Sequence, residues 1–160
     1  NNSLQKREKI MSLVEGVTSI GTKLFMSKVP HSDVLTPPTE VVEMSYDASE
    51  FSIDRGSVTE YDRTAIGHTS KVTIAGLAEA GTATTTVFYE GRKDSAYRAA
   101  LAAFKDKKYR YFKRELNNGD IVEFIGSVTS LSDGVSVDEL ISVNLSIKVS
   151  GGFEDTFAGE

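Results

Sequence analysis

One stretch near the end of the chain, LISVNLSIKV, alternates between apolar and polar residues with a period of two. Its apolar positions are Ile141, Val143, Leu145, Ile147 and Val149. Because successive side chains of a strand point to opposite faces of a sheet, this pattern predicts a half-buried β-strand. It is the strongest structural signal in the sequence and favours an antiparallel sheet with one solvated face.

Further strands are predicted around it. Asn118-Gly119 supplies the positive φ angles that a hairpin turn needs, and the flanking runs YRYFKREL and DIVEFIGSV are rich in β-branched and aromatic residues. Another strand is predicted in each of the runs TKLFMSKV, SKVTIAGL and TATTTVFYE, and one more at residues 40–44. The chain is therefore expected to be mainly β.

A single helix is predicted at about residues 94–107, DSAYRAALAAFKDK. Asp94 or Ser95 can cap its N-terminus. An apolar stripe with helical spacing runs through Tyr97, Ala100, Leu101 and Phe104. We expect this stripe to pack against a sheet.

Between these elements lies an acidic, turn-rich stretch that includes residues 47–64. Apart from the strand at residues 40–44, the pattern there is weak, and we interpret it as a long loop. Its apolar residues are too many for a free linker, so we expect the loop to be mobile in the monomer and ordered against a partner.

Charge is strongly segregated along the chain. Residues 92–114 contain nine basic side chains and two acidic ones, whereas residues 115–160 contain nine acidic side chains and one basic one. Residues 40–62 contain seven acidic side chains and one arginine. Opposite charges in separate blocks suit contacts between copies of the same chain at least as well as binding to a phosphate backbone.

The sequence offers little for catalysis or metal binding. It has no cysteine and two histidines, His31 and His68, which do not show a recognisable ligand spacing. His31, Ser32 and Asp33 are adjacent in sequence and cannot converge as a catalytic triad does. No phosphate-binding glycine loop is present. We therefore predict a protein that is not an enzyme and has no cofactor or metal.

The length suits a single domain. Residues 1–16 are interpreted as an N-terminal arm or an expression remnant, residues 17–157 as the domain, and residues 158–160 as a loose tail. No run approaches the roughly 18 apolar residues of a membrane helix, and no signal peptide is evident. We expect synthesis in the cytoplasm and no membrane partner.

The ordered set of these elements resembles the major tail tube protein of long-tailed, lambda-like bacteriophages. The resemblance spans residues 17–157 and is most specific in the helix, in NNGDIVEFIGSVTSL and in ISVNLSIKVSGG. It implies a two-sheet antiparallel β-sandwich or barrel with one flanking helix. It also implies hexameric rings that stack into a hollow tail tube, through which double-stranded DNA passes without specific binding during ejection. The implied partners are a tape measure protein, a tail tip initiator and a tail terminator, in the virion tail of a phage made in a bacterial host.

On this interpretation the basic and acidic stretches meet between neighbouring subunits. The predicted interface residues are Asp47, Glu50, Phe51, Ile53, Asp54, Arg55, Glu60, Tyr61, Asp62, Lys107, Lys108, Arg110, Lys113 and Arg114.

Three alternatives stay open. The same fold would suit a tube subunit of a type VI secretion system or a contractile tail. From other classes, the stretch FKDKKYRYFKREL has the composition of a nucleic-acid-binding β-barrel, although neither face of a strand there is a clean aromatic platform. A small envelope sandwich that binds carbohydrate or protein is the third alternative.

Overall fold

The computed structural model of the protein describes residues 17–159, and within them the chain forms nine strands and one helix. In chain order the elements are β1 (Lys23–Ser27), β2 (Val41–Glu43), β3 (Ala48–Asp54), β4 (Val58–Asp62), β5 (Thr73–Ala78), β6 (Thr82–Phe88), α1 (Ala96–Asp106), β7 (Arg110–Glu115), β8 (Ile121–Gly134) and β9 (Ser142–Thr156). The arm predicted at residues 1–16 lies outside the described residues.

Seven strands form one antiparallel sheet in the order β2-β1-β7-β8-β9-β6-β3, and β4 and β5 form a separate two-stranded sheet. The large sheet curls into a half-barrel around the core. The predicted fold class, mainly β and antiparallel with one flanking helix, is confirmed. The two sheets differ in size, with seven and two strands. The described core is built from the large sheet and the helix.

Strand β9 supplies the centre of the core, as its alternating pattern predicts. Val143, Leu145, Ile147 and Val149 are each at most 3% exposed. They face the buried side of the neighbouring strands, where Ala83 and Val87 lie on β6. One face of β9 therefore excludes water while the other stays solvated.

An aromatic cluster shows how the sheet curls. The ring of Phe124 on β8 lies 5.2 Å from that of Phe112 on β7 and 5.1 Å from that of Phe153 on β9. It also lies 6.4 Å from the ring of Phe51 on β3, although β9 and β6 separate these strands in the sheet order. A contact across two intervening strands requires curvature, so apolar burial at Phe124 draws the sheet into a half-barrel.

The hairpin predicted around Asn118-Gly119 is confirmed. β7 and β8 pair in antiparallel register from Arg110 opposite Gly126 to Glu115 opposite Ile121. Gly119 adopts a φ of +93°, a left-handed conformation that glycine tolerates without strain.

Helix α1 is confirmed, but its buried face differs from the predicted stripe. Ser95 caps the N-terminus by accepting a hydrogen bond from the backbone N–H of Arg98. The buried residues are Ala96, Ala99, Ala100 and Ala103. Phe104 is 37% exposed and Leu101 is half-buried, so the helix is rotated away from the expected orientation. Alanines let the helix axis approach the sheet closely, whereas the bulkier stripe would hold it further away. No helix in the described residues is long and apolar enough to cross a membrane.

The acidic stretch is not the long loop that we expected. Residues 48–54 form β3 and pair with β6, and residues 58–62 form β4 and pair with β5. Its hydrophobic side chains explain the difference, because Phe51 and Ile53 pack against the core from an edge strand. Such a strand is stabilised by tertiary contacts that local sequence does not report.

Candidate assembly surfaces

The part of the large sheet formed by β8, β9, β6 and β3 has two open edges. β7 pairs with β8 only as far as Gly126, so residues 127–134 have β9 on one side and no strand on the other in the described structure. At the end of the sheet order, β3 pairs with β6 alone. The strands β8, β9, β6 and β3 thus form a four-stranded unit that is open on both sides. Open edges present unpaired N–H and C=O groups to which another chain can add a strand.

The outer face of this four-stranded unit carries small polar side chains. We call it the hydroxyl face, and its members are Glu50, Ser52 and Asp54 on β3, Thr82, Thr84 and Thr86 on β6, Asn144, Ser146 and Lys148 on β9, and Ser127, Ser130 and Ser132 on β8. All are exposed or half-buried. The Thr86 hydroxyl donates a hydrogen bond to Oδ1 of Asn144 at 2.9 Å. With two carboxylates, one ammonium and no apolar side chain, the face is weakly acidic and well hydrated.

The small β4–β5 sheet stands apart from the core. Every residue of β4 is exposed, including the predicted interface residues Glu60, Tyr61 and Asp62. Tyr61 is 60% exposed and Leu77 on β5 is 91% exposed. A two-stranded hairpin is marginally stable alone in water. The exposed apolar side chains of this hairpin therefore indicate a surface that is covered by a partner.

The basic stretch does not form one continuous surface. Lys107 and Lys108 are exposed after the end of α1, where Lys107 adopts a left-handed conformation. Arg110, in contrast, is only 2% exposed, and its Nη2 donates to Oδ2 of Asp106 at 2.6 Å. Within one copy the charge of Arg110 is therefore covered by Asp106, and the predicted contact of Arg110 with a neighbouring subunit stays a prediction.

The remaining side chains of the basic stretch lie on β7, where they alternate between the two faces of the strand. Lys113 lies over the ring of Phe25, with Nζ 5.6 Å from the centroid. Tyr111 and Phe112 are both buried. Burial and the neighbouring Glu123 raise the pKa of Tyr111 above its usual range. Tyr109 is 46% exposed, but with Tyr111 and Phe112 covered β7 presents no row of exposed rings on which successive bases could stack, which disfavours the nucleic-acid alternative.

Arg114 and Arg55 converge on one carboxylate. Arg55 forms a bidentate ion pair with Asp155, with N–O distances of 2.7 and 2.8 Å, and lies 5.2 Å from the centroid of the Phe153 ring. The hydrogen bond from Arg55 lowers the pKa of Asp155 below its usual value. Burial lowers the pKa of Arg114, and the nearby Arg55 adds to this effect. The cluster ties the residue after β3 to the end of β9 within one chain.

Asp47, another predicted interface residue, has an intramolecular role. It is 5% exposed, and both carboxylate oxygens accept hydrogen bonds from Nη2 of Arg92, at 2.9 and 3.0 Å. It also accepts from the backbone N–H of Ala96 at 3.2 Å, which places negative charge at the N-terminus of α1. Asp47 is therefore engaged within its own chain, and Phe51 and Ile53 are half-buried against the core. Their assignment to a subunit interface stays a prediction, since β3, which carries Phe51 and Ile53, is an edge strand.

The two histidines have structural partners. Nε2 of His31 lies 2.6 Å from the carbonyl oxygen of Thr36, and Nδ1 of His68 accepts from the backbone N–H of Ala65 at 2.8 Å. Within residues 17–159 no group of three or more acidic or histidine side chains is placed to hold a metal ion.

The hydroxyl face was not predicted, although the sequence carries a signal for it. The runs TATTT and SVNLSIK each carry a hydroxyl or amide at alternate positions. The sequence carries no signal for the open edges, because the pairing of a strand depends on which other strands lie beside it in the folded sheet.

A curled antiparallel sheet with one flanking helix and a polar outer face, with no metal-binding cluster in the part of the chain that the structure describes, is the architecture of a structural β-protein. The chain belongs to the lambda phage tail tube protein family, since the family model "Lambda phage tail tube protein, TTP" matches residues 38–158. It is a structural tail tube subunit and a component of the virion tail.

Solved structures share this fold at low sequence identity. A chain of a gene transfer agent virion aligns with a TM-score of 0.56 and 16% identity, covering 83% of this chain and 95% of that chain. A chain of the SPP1 tail tube aligns with a TM-score of 0.59 and 12% identity, covering 89% and 80%. A chain of the anti-feeding prophage baseplate aligns with a TM-score of 0.64 and 8% identity, covering 91% and 99%. A chain of an extracellular contractile injection system, from its sheath-tube complex, aligns with a TM-score of 0.57 and 10% identity, covering 94% and 97%, so the fold is shared with a contractile system. No curated protein matches significantly by sequence.

Proposed function

We propose that six copies of this chain close into a ring whose inner wall is a continuous β-barrel, and that rings stack into the tube through which the phage genome is ejected. The observation that carries the proposal is the pair of open edges on the four-stranded unit, residues 127–134 on one side and β3 on the other.

The direction of these edges favours closure. Neighbours in the unit are antiparallel throughout, so with four strands the two edge strands run in opposite directions. Copies related by rotation about a tube axis keep their strand directions. The β3 edge of one copy therefore meets residues 127–134 of the next copy in antiparallel orientation, and the pairing continues around the ring without a break.

The resulting barrel has a suitable size. Six copies of four strands give 24 strands, and with a strand spacing of about 4.8 Å and a tilt of about 40° the backbone diameter is about 48 Å. Since side chains of the hydroxyl face are short, a wide channel remains for a DNA duplex. Closure also removes the open edges, which would otherwise be sites of aggregation.

We assign the hydroxyl face to the lumen. A wall with strong positive charge would bind phosphates, release counterions and slow the passage of DNA. Each copy contributes Glu50, Asp54 and Lys148 as the charged members of this face, a net charge of −1. Small hydroxyls exchange hydrogen bonds with water readily and offer no ring on which bases stack.

Several predicted contacts remain part of the proposal. Exposed side chains that are available between subunits are Glu50, Asp54, Glu60, Tyr61, Asp62, Lys107 and Lys108. The proposed partners of the tube, which follow from the family resemblance, are a tail tip initiator, a terminator and a tape measure protein.

Cysteine cross-linking tests the ring, because the natural chain has no cysteine. Ser52 on β3 and Ser130 on β8 occupy the two edge strands, about 14 Å apart across three strand spacings. A disulfide needs Cα atoms within about 7 Å, so Ser52→Cys cannot bridge to Ser130→Cys within one chain. We expect one of three double variants, Ser52→Cys with Ser127→Cys, Ser130→Cys or Ser132→Cys, to give a ladder that ends at six chains on a non-reducing gel.

A matched control is Ser52→Cys with Lys105→Cys, which lies on the exposed side of α1. This pair should give no ladder. Assembled particles in which none of the three edge pairs cross-links would overturn the edge-to-edge ring.

A further inference from the structure

Two loops at opposite ends of the four-stranded unit have complementary surfaces. We call residues 135–141, which join β8 to β9, the strand tip, and residues 63–72, which join β4 to β5, the hairpin end. Gly134 pairs with Ser142 next to the strand tip. The β4–β5 hairpin leaves the sheet at the other end, between the paired residues Asp54 and Thr82.

The strand tip is apolar and acidic. Val135, Val137 and Leu140 are 79, 89 and 79% exposed. Asp138 and Glu139 lie in the same loop, which contains no basic residue. Exposed aliphatic side chains grouped in one loop indicate a contact surface.

The hairpin end is basic and carries one exposed aliphatic side chain. It contains Arg63 and Lys71, the acidic Asp62 directly precedes it on β4, and Ile66 at its apex is fully exposed. The loop is well ordered internally, because the N–H of Arg63 donates to the carbonyl oxygen of Val72 at 2.8 Å and the N–H of His68 donates to that of Ala65 at 3.0 Å. Ile66 is therefore presented on a formed turn.

Within one copy these surfaces belong to opposite ends of the four-stranded unit. Register places Thr82 opposite Lys148, six residues along β9 from Ser142, a distance of about 20 Å between the two ends. A contact between different patches at opposite ends of a molecule is head-to-tail, and it propagates as an open stack. In a barrel with tilted strands, the two ends lie on opposite rims of the ring.

We propose that the strand tip of each subunit docks onto the hairpin end of a subunit in the next ring, with Val137 and Leu140 against Ile66 and with Asp138 and Glu139 facing Arg63 and Lys71. This inference rests on the proposed ring. The occupant of both surfaces is a second copy of this chain, because each surface supplies the charge that the other lacks.

Charge reversal tests the contact. Arg63→Glu with Lys71→Glu should leave ring closure intact, as seen with the Ser52 and Ser130 cross-link or its shifted equivalents, and should reduce the fraction of stacked rings. Six equivalent contacts act together in each interface, so we expect the reduction to be at least about tenfold in sedimentation and electron micrographs. Adding Asp138→Lys and Glu139→Lys to the same chain should restore stacking.

A second measurement does not depend on charge. Single variants Ile66→Cys and Val137→Cys are mixed, and we expect a disulfide dimer that forms only in the mixture. Ile66→Cys mixed with Lys105→Cys is the matched control and should stay monomeric on the gel.

The outcomes separate the two proposals. If the natural chain forms neither rings nor tubes with an initiator present, the proposed function fails and this contact fails with it. If rings close but the charge-reversed variant stacks as the natural chain does, or Ile66→Cys and Val137→Cys do not cross-link in tubes, the ring stands and the stacking contact is wrong.

Discussion

The buried guanidinium of Arg110 makes Asp106 the position at which loss of one charge should cost the most stability. Asp106→Asn keeps the side chain's shape and the oxygen that accepts from the backbone N–H of Lys108 at 2.9 Å. It removes the negative charge that faces Nη2 of Arg110 at 2.6 Å. Arg110 is then a buried cation without a counter-charge, and its Nε already has no partner in the described structure.

The expected loss in the free energy of unfolding depends on how deeply each partner of the ion pair is buried. Breaking a fully buried ion pair costs about 3–5 kcal/mol, but the Asp106 side chain is 34% exposed, so water can reach the site. We therefore expect a loss of about 2 kcal/mol in the free energy of unfolding, a fall in Tm of roughly 4–8 °C for a domain of this size. Arg110→Met, which removes the cation and leaves Asp106 partly solvated, should lose less than about 1 kcal/mol.

Urea unfolding followed by circular dichroism measures all three proteins, since the chain has no tryptophan. Asp94→Asn is a matched control, because Asp94 pairs with Lys28 at 3.0 Å with side chains that are 75% and 39% exposed. Water and salt screen an exposed pair, so Asp94→Asn should leave the free energy of unfolding nearly unchanged. If Asp106→Asn unfolds like Asp94→Asn, or Arg110→Met is the less stable of the buried-pair variants, the argument from an unpaired buried charge is refuted.

Three further predictions use the same measurement. Ala103→Leu should cost about 1–3 kcal/mol by overpacking a fully buried site, while Phe104→Ser should cost less than about 1 kcal/mol; the reverse order would restore the predicted stripe as the buried face of α1. Gly81→Ala should cost at least about 1 kcal/mol, because Gly81 has a φ of +96° and a Cβ would collide with the backbone of β3, so an unchanged unfolding midpoint would contradict this geometry. Arg55 holds the pKa of Asp155 below its usual value, so the stability that this pair adds is present above about pH 4 and is lost as the pH falls through the lowered pKa. Asp155→Asn should be less stable than the natural chain at pH 7, the difference should shrink as the pH falls below about 4, and a difference that does not change with pH would exclude the ion pair as its cause.

Local sequence determined the elements whose pattern repeats over a whole strand or turn. The alternation that ends at Val149 and the turn at Asn118-Gly119 both predict structure without reference to distant residues, because burial on one face and a positive φ are local requirements. The helix at 96–106 follows from its cap and its run of helix-forming residues. The family resemblance also came from the order of these elements.

Tertiary structure decided which faces and charges are covered. Local pattern could not place the alanine face of α1 against the sheet, since packing distance selects it over the larger stripe. Local pattern also does not predict that Arg110 is buried beside Asp106. Nor does it predict that Asp47 accepts a hydrogen bond at the N-terminus of α1, far along the chain. Both contacts depend on elements that come together only on folding. Strand β3 is stabilised by long-range contacts such as that between Phe51 and Phe124 across the curled sheet. The open edges arise in the same way, because a strand is an edge only once its neighbours are known, and those neighbours are chosen by long-range burial.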